Sequence, residues 1–104
     1  MQSPYSVFKS NASVPTAQVT LAAAGTRQQL STVSVPCAKV FLAAGQNNGG
    51  ILTVGDSSVV AASSGHSGAD MQPSGGFTIE IDDLSKIWYD GTNTGDTVSF
   101  SFLA

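Results

Sequence analysis

Residues 77–103 read FTIEIDDLSKIWYDGTNTGDTVSFSFL, and the fold follows from their alternation. Phe77, Ile79 and Ile81 share one parity and Thr78 and Glu80 the other, the pattern of a strand with a single buried face. Residues 98–102 repeat it, with Val98, Phe100 and Phe102 set against Ser99 and Ser101. Between the two lie an Asp82-Asp83-Leu84-Ser85 corner, a short strand over 86–89 and the loop DGTNTGD at 90–96, rich in residues that favour turns. The six alternating apolar residues predict one core face, and no helical period interrupts them.

Upstream, the same short runs recur between turn residues. Residues 18–22 place Val19 and Leu21 on one face. Residues 26–35 carry Leu30 on the opposite parity from Val33 and Val35, which predicts a bent or bulged strand before Pro36. Residues 37–43 are apolar except for Lys39, as expected of a strand covered on both sides or lying in a subunit interface. After the tract GQNNGG at 45–50, residues 51–54 and 59–62 flank Gly55-Asp56-Ser57-Ser58 and predict a hairpin. SSGHSGADMQPSGG at 63–76 reads as the longest surface loop. Seven or eight short strands at this spacing predict an all-β, antiparallel β-sandwich, jelly-roll-like, over residues 17–104. Residues 1–16, with Pro4 and Pro15 and no sustained period, read as an extended N-terminal arm.

The 104 residues suit one domain with one modest core. Only 11% are charged, and Ser, Thr, Gly and Ala supply the polarity instead, a surface whose weak repulsion suits life in an assembly. A net charge of −3, with the four basic residues Lys9, Arg27, Lys39 and Lys86 scattered, argues against a nucleic-acid partner. No window has the apolar length of a membrane helix and the start lacks the pattern of a signal peptide, so no membrane partner and a cytoplasmic site of assembly are expected. The lone Cys37 agrees with a reducing compartment.

Ser64, His66 and Asp70 are the residue types of a hydrolase triad, yet they crowd one Gly-rich loop that offers little rigid orientation. GHSG does not complete a nucleophile elbow. One thiol and one imidazole supply neither a thiolate–imidazole pair with an orienting context nor a two-sulfur zinc site. Asp82, Asp83, Asp90 and Asp96 offer oxygens to a Ca²⁺, but without the spacing of an EF-hand loop. The reading is therefore no catalytic residue, no metal and no cofactor. Trp88 and Tyr89 are adjacent in a strand, so one faces the core and the other faces out.

The run FTIEIDDLSKIWYDGTNTGDTVSFSFLA resembles the ends of small structural proteins of tailed bacteriophages, in which an Ile- or Val-rich strand enters a D-L-S-K-I turn and a G-D-x-V-S-F strand follows. VPCAKVFL at 35–42 and ILTVGDSSV at 51–59 are similar to that group as well, so the resemblance spans residues 35–103 and leaves 1–34 unmatched. The resemblance implies a non-enzymatic virion component of the capsid decoration or cement type: a β-sandwich, acting as a homotrimer, bound to the phage major capsid protein on the capsid surface after assembly in the bacterial cytoplasm. Expected partner-binding residues are Tyr5, Val7 and Phe8 in the arm, Phe41 in the apolar strand, and Trp88; Val33 and Val35 add interface surface. The competing expectation is a receptor- or carbohydrate-binding module of a head fibre or tail, using Trp88, Tyr89 and the loops 46–50 and 64–76.

Overall fold

A computed structural model describes residues 16–103. Eight strands form in chain order: β1 (Thr16–Thr20), β2 (Gln28–Gln29), β3 (Lys39–Ala44), β4 (Leu52–Gly55), β5 (Ala69–Met71), β6 (Gly76–Glu80), β7 (Trp88–Gly91) and β8 (Thr97–Leu103). A 3₁₀ turn, Leu84–Lys86, precedes β7. The strands make two four-stranded sheets, β1-β8-β3-β6 and β2-β7-β4-β5, in which every pairing is antiparallel. The expected antiparallel β-sandwich is borne out. Its pairings are nested, β4 with β5, β3 with β6, β2 with β7 and β1 with β8, so that the chain folds back on itself about the β4–β5 connection.

The alternation seen in the sequence sets the register. On β8, Val98 and Phe100 are buried and Phe102 packs beside them; opposite stand Ala44, Leu42 and Val40 of β3. On the other side of β3, Leu42 faces Phe77 and Val40 faces Ile79. A slip of one residue would turn each of these sets to solvent, which is why one-faced strands specify their pairing strongly. The second sheet contributes Leu52, Val54, Met71 and Tyr89 to the same buried cluster, and Leu21, Leu30, Leu84 and Ile87 close its ends. All six residues of the predicted core face lie in this cluster or pack against it.

Two strand expectations are corrected. Residues 59–62 do not pair with β4 as a hairpin; Val60 makes only an isolated bridge to Ser67, and β4 pairs instead with β5, inside the stretch read as loop. Val59 and Ala61 are nevertheless buried, which accounts for their apolar character without a strand. The expected strand over 26–35 shrinks to Gln28–Gln29, because Ser31 and Val33 turn locally through the Ser31 hydroxyl, and the Val35 N–H is taken by Asp83. Of the two alternatives for β3, cover on both sides or a place in a subunit interface, the first is not met among the described residues: Val40, Leu42 and Ala44 point inward, while Phe41 is half-buried and Ala43 exposed on the outer face. Of the proposed arm, only Thr16 falls among the described residues, as the first residue of β1.

Candidate functional site

Most of the aspartates hold loops in place. Asp90 on β7 is 2% exposed; its Oδ1 accepts the Gly25 and Gly91 N–H groups and its Oδ2 accepts that of Ala61. Asp96 is likewise buried and accepts from the Gly49 and Gly50 N–H groups and the Asn93 amide, tying the loop after β3 to the loop before β8. Burial pushes the Asp96 carboxyl up, but the hydrogen bonds from Asn93, Gly49 and Gly50 together outweigh it and hold it below the usual carboxylate range. Asp83 caps the 3₁₀ turn. It accepts from the Ser34 hydroxyl, the Ser85 N–H and hydroxyl and the Val35 N–H, which hold its carboxyl far below the ordinary value. Asp82 pairs with Lys86 at the surface, at 2.8 Å. Asp83, Asp90 and Asp96 thus spend both oxygens on protein donors and Asp82 one, and among the described residues no cluster of three or more His, Cys, Asp or Glu side chains is placed to hold a metal. Burial, then the Asp83 and Asp82 charges, push the Cys37 thiol up, and the S–H donates to the Ile81 carbonyl.

The outer face of the second sheet is covered by the chain itself. Thr53 lies opposite Asp90 in the register, and both alternate away from the core, yet Thr53 is fully buried and Asp90 nearly so. The segment 56–68 between β4 and β5 lies over them. The Val59 Cβ and one of its methyl groups come within 3.4 Å of where a Gly55 Cβ would stand, and a Cβ on Gly68 would meet Thr53 at 2.6 Å. Ala61 is anchored on Asp90, and the Val59 carbonyl accepts from Arg27 at 3.3 Å.

At the margin of this cover His66 and Asp70 meet: His66 Nε2 lies 3.1 Å from Asp70 Oδ1, and its Nδ1 is 3.2 Å from the Ala61 carbonyl. Asp70 Oδ1 also accepts the buried Thr53 hydroxyl at 2.8 Å. Of the three triad residue types, His66 and Asp70 are therefore brought together, but both imidazole nitrogens face oxygens other than a serine hydroxyl, so the ring is not poised to take a proton from Ser64. Beside this pair is an open hollow of about 570 Å³ lined by Ile51, Ala61, Ser63, His66, Asp70 and Thr92. The chain of Thr53, Asp70 and His66 could be read from sequence only by placing Asp70 on a strand beside Thr53, and the Gly-rich surroundings of residues 69–71 conceal that strand.

The outer face of the first sheet has no such cover among the described residues. The register sets Phe41 between Thr78 and Ser101, with Ser99 beside Ala43 and Gln18. Charge enters only through Lys39 and Glu80, directly opposite each other near one end. Phe41 thus sits half-buried in a field of hydroxyl groups. Trp88 is half-buried on the outer side of β7, while Tyr89 is 1% exposed and turned inward, with its hydroxyl bonded to Gln28 and to the Thr20 carbonyl. Tyr89 is therefore corrected from a surface candidate to a core residue. Val33 is 64% exposed, as an interface residue would be, but Val35 packs against the core. Tyr5, Val7 and Phe8 lie outside the described residues.

Compared with known proteins, the chain matches no family model, no curated protein and no solved structure.

Proposed function

We propose that this chain is a non-enzymatic structural protein of a tailed-phage virion, a capsid decoration or cement protein that binds the major capsid protein and stabilises the shell as a homotrimer. The observation that carries the reading is the contrast between the two outer faces. One sheet is roofed by residues 56–68, whereas the other, among the described residues, presents a hydroxyl-rich face with Phe41 near its centre and charge only at Lys39 and Glu80. Such a face presents little charge to desolvate on contact, and a half-buried aromatic supplies the apolar anchor that protein interfaces favour. The resemblance of residues 35–103 to small phage proteins supports the same reading. The nested strand pairing supports reading the sandwich as jelly-roll-like, an architecture common in viral capsid proteins.

In this proposal residues 1–16 reach a neighbouring subunit, and the sandwich is the rigid body between contacts. The test is co-sedimentation of the purified chain with capsids of the phage that encodes it, alongside light scattering to count subunits. A trimer that pellets with capsids, and a variant lacking residues 1–16 that stays folded but pellets less, are the expected results. A monomer that remains in the supernatant overturns the proposal.

A further inference from the structure

The hollow beside His66 and Asp70 has the make-up of a small-ligand site, and we infer that it binds a short saccharide. Its six lining residues combine an apolar floor with polar groups of both hydrogen-bonding senses, the composition by which proteins orient small polar molecules. Ala61 and Ile51 supply apolar surface against which the C–H face of a sugar ring can rest. Asp70 supplies an acceptor. Its Oδ1 is held by Thr53 and faces His66, so the carboxylate is oriented from behind, and its Oδ2 has no hydrogen-bond partner among the described residues. Thr92 Oγ1 accepts the Ile51 N–H, which leaves its O–H as a donor. The Ser63 hydroxyl makes no hydrogen bond among the described residues and serves in either sense.

The balance of these groups selects the ligand class. A cationic side chain from a partner could reach Asp70 Oδ2 but, carrying donors only, would accept from neither the Thr92 nor the Ser63 hydroxyl. A neutral polyol does both: its hydroxyls donate to Asp70 Oδ2 and accept from Thr92 and Ser63. At about 570 Å³ the hollow falls within the range of small-molecule sites and exceeds what one solvent molecule needs. Its walls are also fixed from within, since Ala61 is anchored on Asp90 and Asp70 on the fully buried Thr53. Preorganisation of this kind lowers the cost of binding. Because the hollow lies on the second sheet's side, occupancy there is separable from attachment through Phe41.

His66 is the sole histidine, so its ring protons give one assignable reporter. The full chain is titrated with the methyl glycosides of glucose, galactose, mannose and N-acetylglucosamine while the His66 ring and backbone amide resonances are followed. Saturable shifts at His66 and at the Ser63 and Thr92 amides are expected with at least one glycoside, with dissociation constants of order 1 mM. Ser63→Ala, at an exposed position, is expected to keep the fold and weaken that binding about threefold, and Asp70→Asn about tenfold. The inference is overturned by the absence of saturable shifts with all four glycosides. It is equally overturned by shifts that centre on Trp88, or by shifts at His66 that both variants leave unchanged. Saturation by N-acetylarginine methylamide where no glycoside saturates would mark the hollow as a dock for a basic side chain and reject the saccharide assignment. Capsid co-sedimentation of Ser63→Ala at the wild-type level separates failure here from failure of the capsid role.

Discussion

Asp90 Oδ2 accepts the Ala61 N–H at 2.9 Å, joining two residues 29 positions apart and fastening the segment 56–68 onto the second sheet. The same carboxylate receives the Gly25 and Gly91 N–H groups through Oδ1, so one buried side chain satisfies three donors from three parts of the chain. Asp90→Ala leaves those donors without their acceptor and is expected to cost about 3 kcal/mol, in the upper range for hydrogen bonds to a charged group. Asp90→Asn keeps one acceptor oxygen but turns an N–H₂ toward an N–H, and should fall between the two. Urea denaturation checks both, and a loss below about 1 kcal/mol for the alanine variant contradicts the role given to Asp90.

Acid should weaken the fold through Asp83 and Asp96. Both carboxyls lie below the ordinary value of 3.8 in the folded chain, Asp83 chiefly through Ser34 and Ser85, and Asp96 through Asn93, Gly49 and Gly50 against the opposing pull of burial. In the acid range the unfolded chain then binds more protons than the folded one, so stability rises with pH there. The contribution is fully present above the unfolded value and is lost as pH falls through it toward the lower folded values. Thermal midpoints measured from about pH 6 down to about pH 2 should fall most steeply below about pH 4. Ser34→Ala should flatten that fall, since it removes the first donor to Asp83; an unchanged slope would argue against this origin.

Gly68 and Gly25 both have positive φ, at 127° and 83°, but their surroundings differ. A Cβ on Gly25 meets nothing within 4 Å, whereas on Gly68 it would meet the Thr53 methyl at 2.6 Å and both the Val54 carbonyl and a Val59 methyl at 2.8 Å. Gly25→Ala should therefore cost only the backbone term, about 1 kcal/mol. Gly68→Ala should cost several kcal/mol or displace the 56–68 cover, with Ala61 and Val60 amides losing protection from hydrogen exchange. Equal effects from the two variants would show that Gly68 is not closely packed.

Phe41→Ser separates folding from association. The side chain lies on the outer face, half-buried between Thr78 and Ser101, and its loss should change stability by about 1 kcal/mol. Attachment to capsids should fall at least about tenfold, as for an anchor at the centre of an interface. Trp88→Ser on the other sheet should leave attachment unchanged. If the effects of the two variants on co-sedimentation are reversed, the first sheet's outer face is not the docking surface.

The strands that could be read from sequence are those whose buried face is written in alternating side chains. Residues 77–81 and 98–102 state which residues face inward because successive side chains in a strand point to opposite sides, a local geometric fact that needs no partner. The same rule placed Trp88 and Tyr89 on opposite faces without saying which was buried. That choice fell to the register of β7 against β4, which sets Tyr89 beside the inward-facing Val54.

Residues 59–71 mark where local pattern stops being enough. Val59 and Ala61 looked like strand residues because they are apolar, and Asp70 looked like loop because Gly65, Gly68 and Ser67 surround it. Their roles depend on contacts outside the segment: Asp90 captures Ala61, Thr53 orients Asp70, and β4 supplies the pairing edge for residues 69–71. By itself the sequence determined an all-β chain with one core face, because that information repeats every two residues. Tertiary structure alone decided which outer face the segment 56–68 roofs, and that His66 meets Asp70 over a hollow, because these depend on where distant buried polar groups find their hydrogen-bond partners.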